Sequence, residues 1–76
     1  MSEKEIIVLE YIKHFWTRFK QSPSIREICF GTGVSSTSTV VYYLDKLEYL
    51  GEIERRPGSR GIIPKGMHVV FDEVAP

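Results

Sequence analysis

The chain has 76 residues, 42% of them hydrophobic and 26% charged, with ten basic and ten acidic side chains and a formal net charge of zero. That is enough for one small domain with little spare core, and the composition fits neither a disordered tail nor a membrane protein, since no apolar run reaches the roughly twenty residues a membrane helix needs. The single cysteine, Cys29, has no partner for an internal disulfide, and no metal-ligand spacing surrounds it; it reads as a buried thiol.

From the amino terminus, Met1-Ser2-Glu3-Lys4-Glu5 carries both signs of charge and lacks the pattern of a signal peptide, so a cytoplasmic location is expected. Ser2 followed by Glu5 makes a capping box that opens a helix. Val8, Leu9, Ile12, Phe15, Trp16 and Phe19 recur on one face of it and are expected in the core, while Ile6 and Ile7 are harder to bury. Gln21-Ser22-Pro23 ends this helix. A second capping box, Ser24 with Glu27, opens a short helix in which Ile25, Ile28 and Cys29 face inward and which Gly31 and Gly33 stop.

Ser36, with Ser35 as the alternative, then caps a third helix that can run to Leu50 before Gly51 provides a left-handed terminus. Val40, Leu44 and Leu47 cluster on its core side, flanked by Tyr43 and Leu50. Ser38, Tyr42, Asp45 and Tyr49 project from the other side, with Thr39 and Val41 at the margins. The early turns of such a helix reach a groove floor, so Ser36, Ser38, Thr39, Val41 and Tyr42 are the candidates for base contact, and Tyr49 lies too far along. The plainer reading of the hydroxyl run from Ser35 to Thr39 is capping alone, since these residues favour N-caps in any protein.

After Gly51, Glu52 to Arg56 alternates like a strand, Pro57-Gly58-Ser59 is turn chemistry, and Arg60 to Ile63 can return as its partner. Three helices with a tight glycine-containing turn, followed by a hairpin with a basic tip, predict a mainly α, winged helix-turn-helix domain over residues 1–63. Residues 64–76 form a tail or linker, in which Met67, Val69, Val70 and Phe71 make one more short strand, pack under the domain, or lead onward.

Zero net charge counts against nucleic-acid binding, because such domains are usually basic. Distribution qualifies this: Arg55, Arg56, Arg60 and Lys65 lie in a stretch without an acid. In the wing, Arg55, Arg56, Ser59 and Arg60 are the candidates for contact with a nucleic-acid backbone; the competing reading of the arginines is a solubilising strand edge. Four such cations on phosphates would give log K a slope against log salt of roughly −3 to −4 per monomer. Phe15, Trp16 and Phe19 read as core rather than a base-stacking platform, Asp45 as a solvated residue, and His14 and His68 carry no assigned chemistry. No phosphate loop, nucleophile elbow or metal spacing is present, so neither catalysis nor a cofactor is expected.

Pro23-Ser24-Ile25-Arg26-Glu27-Ile28, Gly33-Val34-Ser35-Ser36-Thr37-Ser38-Thr39-Val40, Leu44-Asp45-Lys46-Leu47-Glu48 with Gly51, and Ser59-Arg60-Gly61-Ile62 together resemble the DNA-binding domain of LexA-type repressors of the bacterial DNA-damage response. The resemblance covers roughly Glu5 to Ile63. It implies a winged domain whose third helix reads the major groove of an inverted-repeat operator in double-stranded DNA, as a dimer on that DNA, and it puts Ser36, Ser38, Thr39, Val41 and Tyr42 at the recognition positions. Gly31 and Thr32 depart from the helix former and aliphatic residue usual there, which predicts an early end to the second helix and partial exposure of Phe30. Tyr42 and Tyr43 are bulkier than usual, so no operator sequence is carried over. LexA repressors continue into a self-cleaving peptidase domain; that activity is not inferred, and the chain reads as an amino-terminal piece or a stand-alone regulator. The alternative from another class is a protein-interaction winged helix, with Ile6, Ile7, Phe30 and Met67 to Phe71 as its surface.

Overall fold

Two reciprocal capping boxes set where the first two helices begin. In a computed structural model of the chain, which describes residues 1–67, the Ser2 N–H donates to Glu5 Oε1 at 3.0 Å and the Glu5 N–H to Ser2 Oγ at 3.3 Å. Helix α1 runs from there over Glu3–Phe19. Ser24 and Glu27 repeat the exchange at 2.8 and 3.2 Å and start α2, Ile25–Thr32. Each box satisfies two amide groups that a helix start would otherwise leave without partners.

Ser36 is the N-cap of α3, Thr37–Tyr49. The helix stops one residue short of Leu50, where the Gly51 N–H reaches the Glu48 carbonyl and the Glu52 N–H the Leu47 carbonyl. This closure needs a left-handed residue, and Gly51 has φ 77°. Strands β1, Ile53–Arg55, and β2, Ile62–Pro64, then pair antiparallel with Ile53 opposite Pro64 and Arg55 opposite Ile62. The architecture is the expected three helices and wing.

The apolar faces meet in one cluster of Val8, Leu9, Ile12 and Trp16 from α1, Ile28 from α2, Val34, then Val40, Leu44 and Leu47 from α3, and Ile53, Ile62 and Ile63 from the wing. Burial of each such aliphatic side chain contributes about 1.5–3 kcal/mol. The wing is therefore part of the core, and β2 is buried at all three positions rather than alternating. The second strand extends to Pro64, Lys65 returns a hydrogen bond to the Glu52 carbonyl, and Met67 packs against the cluster. Val69, Val70 and Phe71 lie outside the described residues.

Three expectations are corrected. Phe19 is 52% exposed instead of buried, because it is the last residue of α1 before Lys20 turns left-handed at φ 60°; it stacks on Phe15 with ring centroids 4.5 Å apart. Ile25 and Cys29 are only half-buried, leaving Ile28 as the buried anchor of α2. Gly31 does not stop α2, which continues to Thr32 and ends on left-handed Gly33. A methyl group at Gly31 would overlap the Tyr11 ring, so the glycine allows close approach of α1 and α2. Phe30 is exposed further than expected, at 94%, although the helix does not end early.

Gly61 faces a harder obstacle, since a Cβ there would collide with the backbone carbonyl of Arg56. Gly61→Ala is expected to cost about 1–3 kcal/mol, the range for forced overpacking, in urea unfolding. Trp16 donates from Nε1 to the buried Ile62 carbonyl at 2.7 Å. Trp16→Phe, which leaves that carbonyl without its donor, is expected to cost a further about 1–3 kcal/mol in the same measurement.

Candidate nucleic-acid interface

A helix that buries Val40, Leu44 and Leu47 completely must turn its remaining faces to water or to a partner. On α3, Ser36, Ser38 and Tyr42 are exposed, while Thr39 and Val41 are half-buried at the edges of that face. Ser36 Oγ accepts from the Thr39 N–H at a long 3.4 Å. The cap therefore uses little of this hydroxyl's capacity, and the Ser38 hydroxyl has no bond to another protein group among the described residues. The N–H groups at the start of α3 also lack partners within the helix, as at any helix start.

Tyr42 is 56% exposed and held by two neighbours. Its ring meets Tyr43 edge-on at 5.6 Å, and the Lys46 ammonium stands 5.8 Å from its centroid, within cation–π range. Tyr43 packs against the core, so the Tyr42 ring rests on a neighbour that is itself partly buried. Beside the start of the helix is a cleft of about 330 Å³ lined by Arg26, Cys29, Phe30, Val34, Ser35 and Thr37. It joins the exposed side of α2 to the turn.

The wing places its four cations differently from a free basic stripe, because every one has a carboxylate within 4 Å. Arg55 pairs with Asp45 and with Glu48 at 3.6 Å, Arg56 with Glu54 at 3.4 Å, Arg60 with Glu27 at 2.8 Å, and Lys65 with Glu52 at 3.9 Å. Asp45, expected only to be solvated, is thus a wing partner.

Arg60 is the most fully engaged. Its fork spans both Glu27 oxygens at 2.8 and 3.0 Å, and the same guanidinium donates to the Ser22 carbonyl at 2.8 Å. Ser22 is itself buried and accepts the Ile62 N–H at 3.0 Å. Ser22 and Glu27 therefore lash the wing to the α1–α2 corner, a role that sequence reading missed. Glu27 was legible only as a cap, and nothing near Ser22 in the chain signals a partner forty residues away. Arg56 and Ser59 remain exposed on the wing, and the Arg56–Glu54 pair is a solvated one of little strength.

A family model described as the LexA DNA binding domain matches residues 1–61. Among curated relatives, the LexA repressor of Moorella thermoacetica is 49% identical over 63 residues, covering 82% of this chain and 31% of that protein. The LexA repressor of Clostridioides difficile is 44% identical over 75% of this chain and 27% of its own length. That of Carboxydothermus hydrogenoformans is 40% identical over 96% of this chain and 34% of its own. The chain spans about a third of the length of the curated relatives it matches. None of the described helices is long and apolar enough to cross a membrane.

The hydrogen bond from Arg60, and after it the Ser24 N–H, hold the Glu27 carboxylate down at about 2 from its usual 4.5. A carboxyl with a lowered folded-state value stabilises the fold above its unfolded value and loses that contribution as pH falls toward the folded one. Glu27→Gln is accordingly expected to lower the unfolding midpoint at neutral pH. The gap to wild type should narrow between about pH 4.5 and about pH 2 in denaturant titrations; a gap that stays constant over that range would show that the Glu27 charge does not hold the wing.

Proposed function

The chain belongs to the LexA DNA-binding domain family, and from that premise we propose that it is the operator-reading part of a transcriptional repressor that binds an inverted repeat as a dimer on DNA. Helix α3 lies in the major groove, Ser36, Ser38, Thr39, Val41 and Tyr42 present its reading surface, and the wing follows the adjacent backbone through Arg56 and Ser59. One observation carries this reading: a helix fully buried along Val40, Leu44 and Leu47 holds short hydroxyls and a braced tyrosine outward at its amino-terminal turns. Short hydroxyls reach phosphates and base edges of any sequence, whereas the methyls of Thr39 and Val41 suit a thymine methyl.

The paired wing arginines narrow the expected contacts. Arg60 holds Glu27 with both arms and Arg55 faces two carboxylates, so neither offers phosphate an unopposed charge. The interaction-module reading is the weaker of the two, since the family matched is a DNA-binding one.

Selection of bound duplexes from a random pool tests the proposal. Enrichment of an inverted repeat is the expected result, and its half-site spacing reports the dimer geometry; a pool that stays random points to a protein partner instead. On the selected repeat, Ser38→Ala and Tyr42→Ala are each expected to change which base is preferred at one half-site position, by about 1–3 kcal/mol of discrimination. Affinity for unrelated duplexes should change little, and a loss that is equal for all sequences would mean that these residues only touch backbone.

A further inference from the structure

Each wing cation has a carboxylate within 4 Å and only Arg56, in a weak solvated pair, is left to meet the backbone, so further charge for phosphate has to come from outside the wing. Among the described residues, Lys4, Lys13, Arg18, Lys20, Arg26 and Lys46 make no ion pair. Lys4, Lys13 and Arg18 belong to α1, and Lys20 is its C-cap, donating from Nζ to the Thr17 carbonyl. Only Arg26 and Lys46 belong to the helix-turn-helix pair itself.

Both stand at the edges of the reading surface. Arg26 is exposed in the second position of α2 and lines the cleft with Ser35 and Thr37, at the entry to α3. Lys46 follows Tyr42 by one turn and lies against its ring, on the exposed flank of α3. The two cations therefore bracket Ser36, Ser38 and Tyr42 along the helix axis. In a docked helix-turn-helix the first helix of the pair crosses the sugar-phosphate backbone, and the far end of the recognition helix rises from the groove beside phosphates.

We propose that Arg26 and Lys46 are the principal phosphate contacts of this domain, and that Arg60 acts instead as a positioning residue that holds the wing. The assignment rests on the DNA-binding reading above and extends it to residues outside the hydroxyl run and the hairpin. The Lys46 ammonium stands 5.8 Å from the Tyr42 ring centroid, within cation–π range, so the cation assigned to phosphate lies beside a residue of the proposed reading surface.

The slope of log K against log salt distinguishes the two kinds of residue, because it counts phosphates neutralised and is blind to a stability defect. Binding of a mixed-sequence DNA duplex would be followed by fluorescence anisotropy across a range of potassium chloride concentrations, for wild type and for Arg26→Ala, Lys46→Ala, Arg26→Lys and Arg60→Ala. Arg26→Ala and Lys46→Ala are each expected to reduce the magnitude of the slope by about 0.9, with Arg26→Lys restoring it. Arg60→Ala should weaken binding at every salt concentration and leave the slope at the wild-type value. An unchanged slope in both alanine variants, or a slope lowered by Arg60→Ala, overturns the assignment while leaving DNA binding intact. Failure of the wild-type chain to bind the duplex, or binding without salt dependence, overturns the DNA-binding reading and this assignment together. Circular dichroism of each variant at the assay temperature separates a lost contact from a lost fold.

Discussion

Burial of Val40, Leu44 and Leu47 leaves α3 no freedom of rotation about its own axis, and the placement of every residue on its exposed face depends on that restriction. All three side chains are closed from solvent by α1, α2 and the wing. A rotation large enough to turn Ser38 or Tyr42 inward would bring aliphatic groups into water, at about 1.5–3 kcal/mol for each side chain exposed. The outward direction of Ser38 and Tyr42 is thus a consequence of packing on the opposite side of the helix. The Schellman closure at Gly51 then sends the chain back across the core as β1.

The wing is tied down as firmly as the helices. Trp16 bonds the Ile62 carbonyl and Ser22 the Ile62 amide, so one residue of β2 has both backbone groups held by the α1 side of the molecule. Arg60 adds a bidentate link to Glu27, whose other partner is the Ser24 amide at the start of α2. One carboxylate consequently serves two elements: it caps α2 and anchors the hairpin. Exposed ion pairs contribute little by themselves, but this one is bidentate and backed by a carbonyl acceptor, which fixes geometry as well as charge.

A neutral chain with a nucleic-acid interface is less contradictory once charges are placed in space. Zero net charge is an average over ten cations and ten acids, and the fold sorts them by partner rather than by position in the chain. The cluster from Arg55 to Lys65 is dense in sequence, and in the structure each of its cations has a carboxylate within 4 Å, from Asp45 and Glu48, Glu54, Glu27 or Glu52. Arg26 and Lys46, isolated in sequence, are the cations that remain without a carboxylate on the two helices of the turn. Local potential follows this second arrangement, since an opposed charge is screened by its partner at short range.

The elements themselves were legible because each is specified by short-range chemistry. Serine three residues before glutamate marks both capping boxes, Gly51 marks the end of α3, Pro57-Gly58 marks the hairpin tip, and the 3.6-residue spacing of Val40, Leu44 and Leu47 marks the buried face. For the same reason the sequence alone determined that Ser36, Ser38 and Tyr42 face away from the core. It did not determine that Phe19 would be exposed, that Gly31 would lie within α2 against Tyr11, or that Ser22 and Glu27 would receive the wing. The exposure of Phe19 follows from the left-handed turn at Lys20, and the other outcomes join residues from twenty to forty positions apart. Apart from Arg56 with Glu54, two residues apart in the chain, only tertiary structure decided which carboxylate would meet which cation, because such a pair forms through a distance in space that no local periodicity encodes.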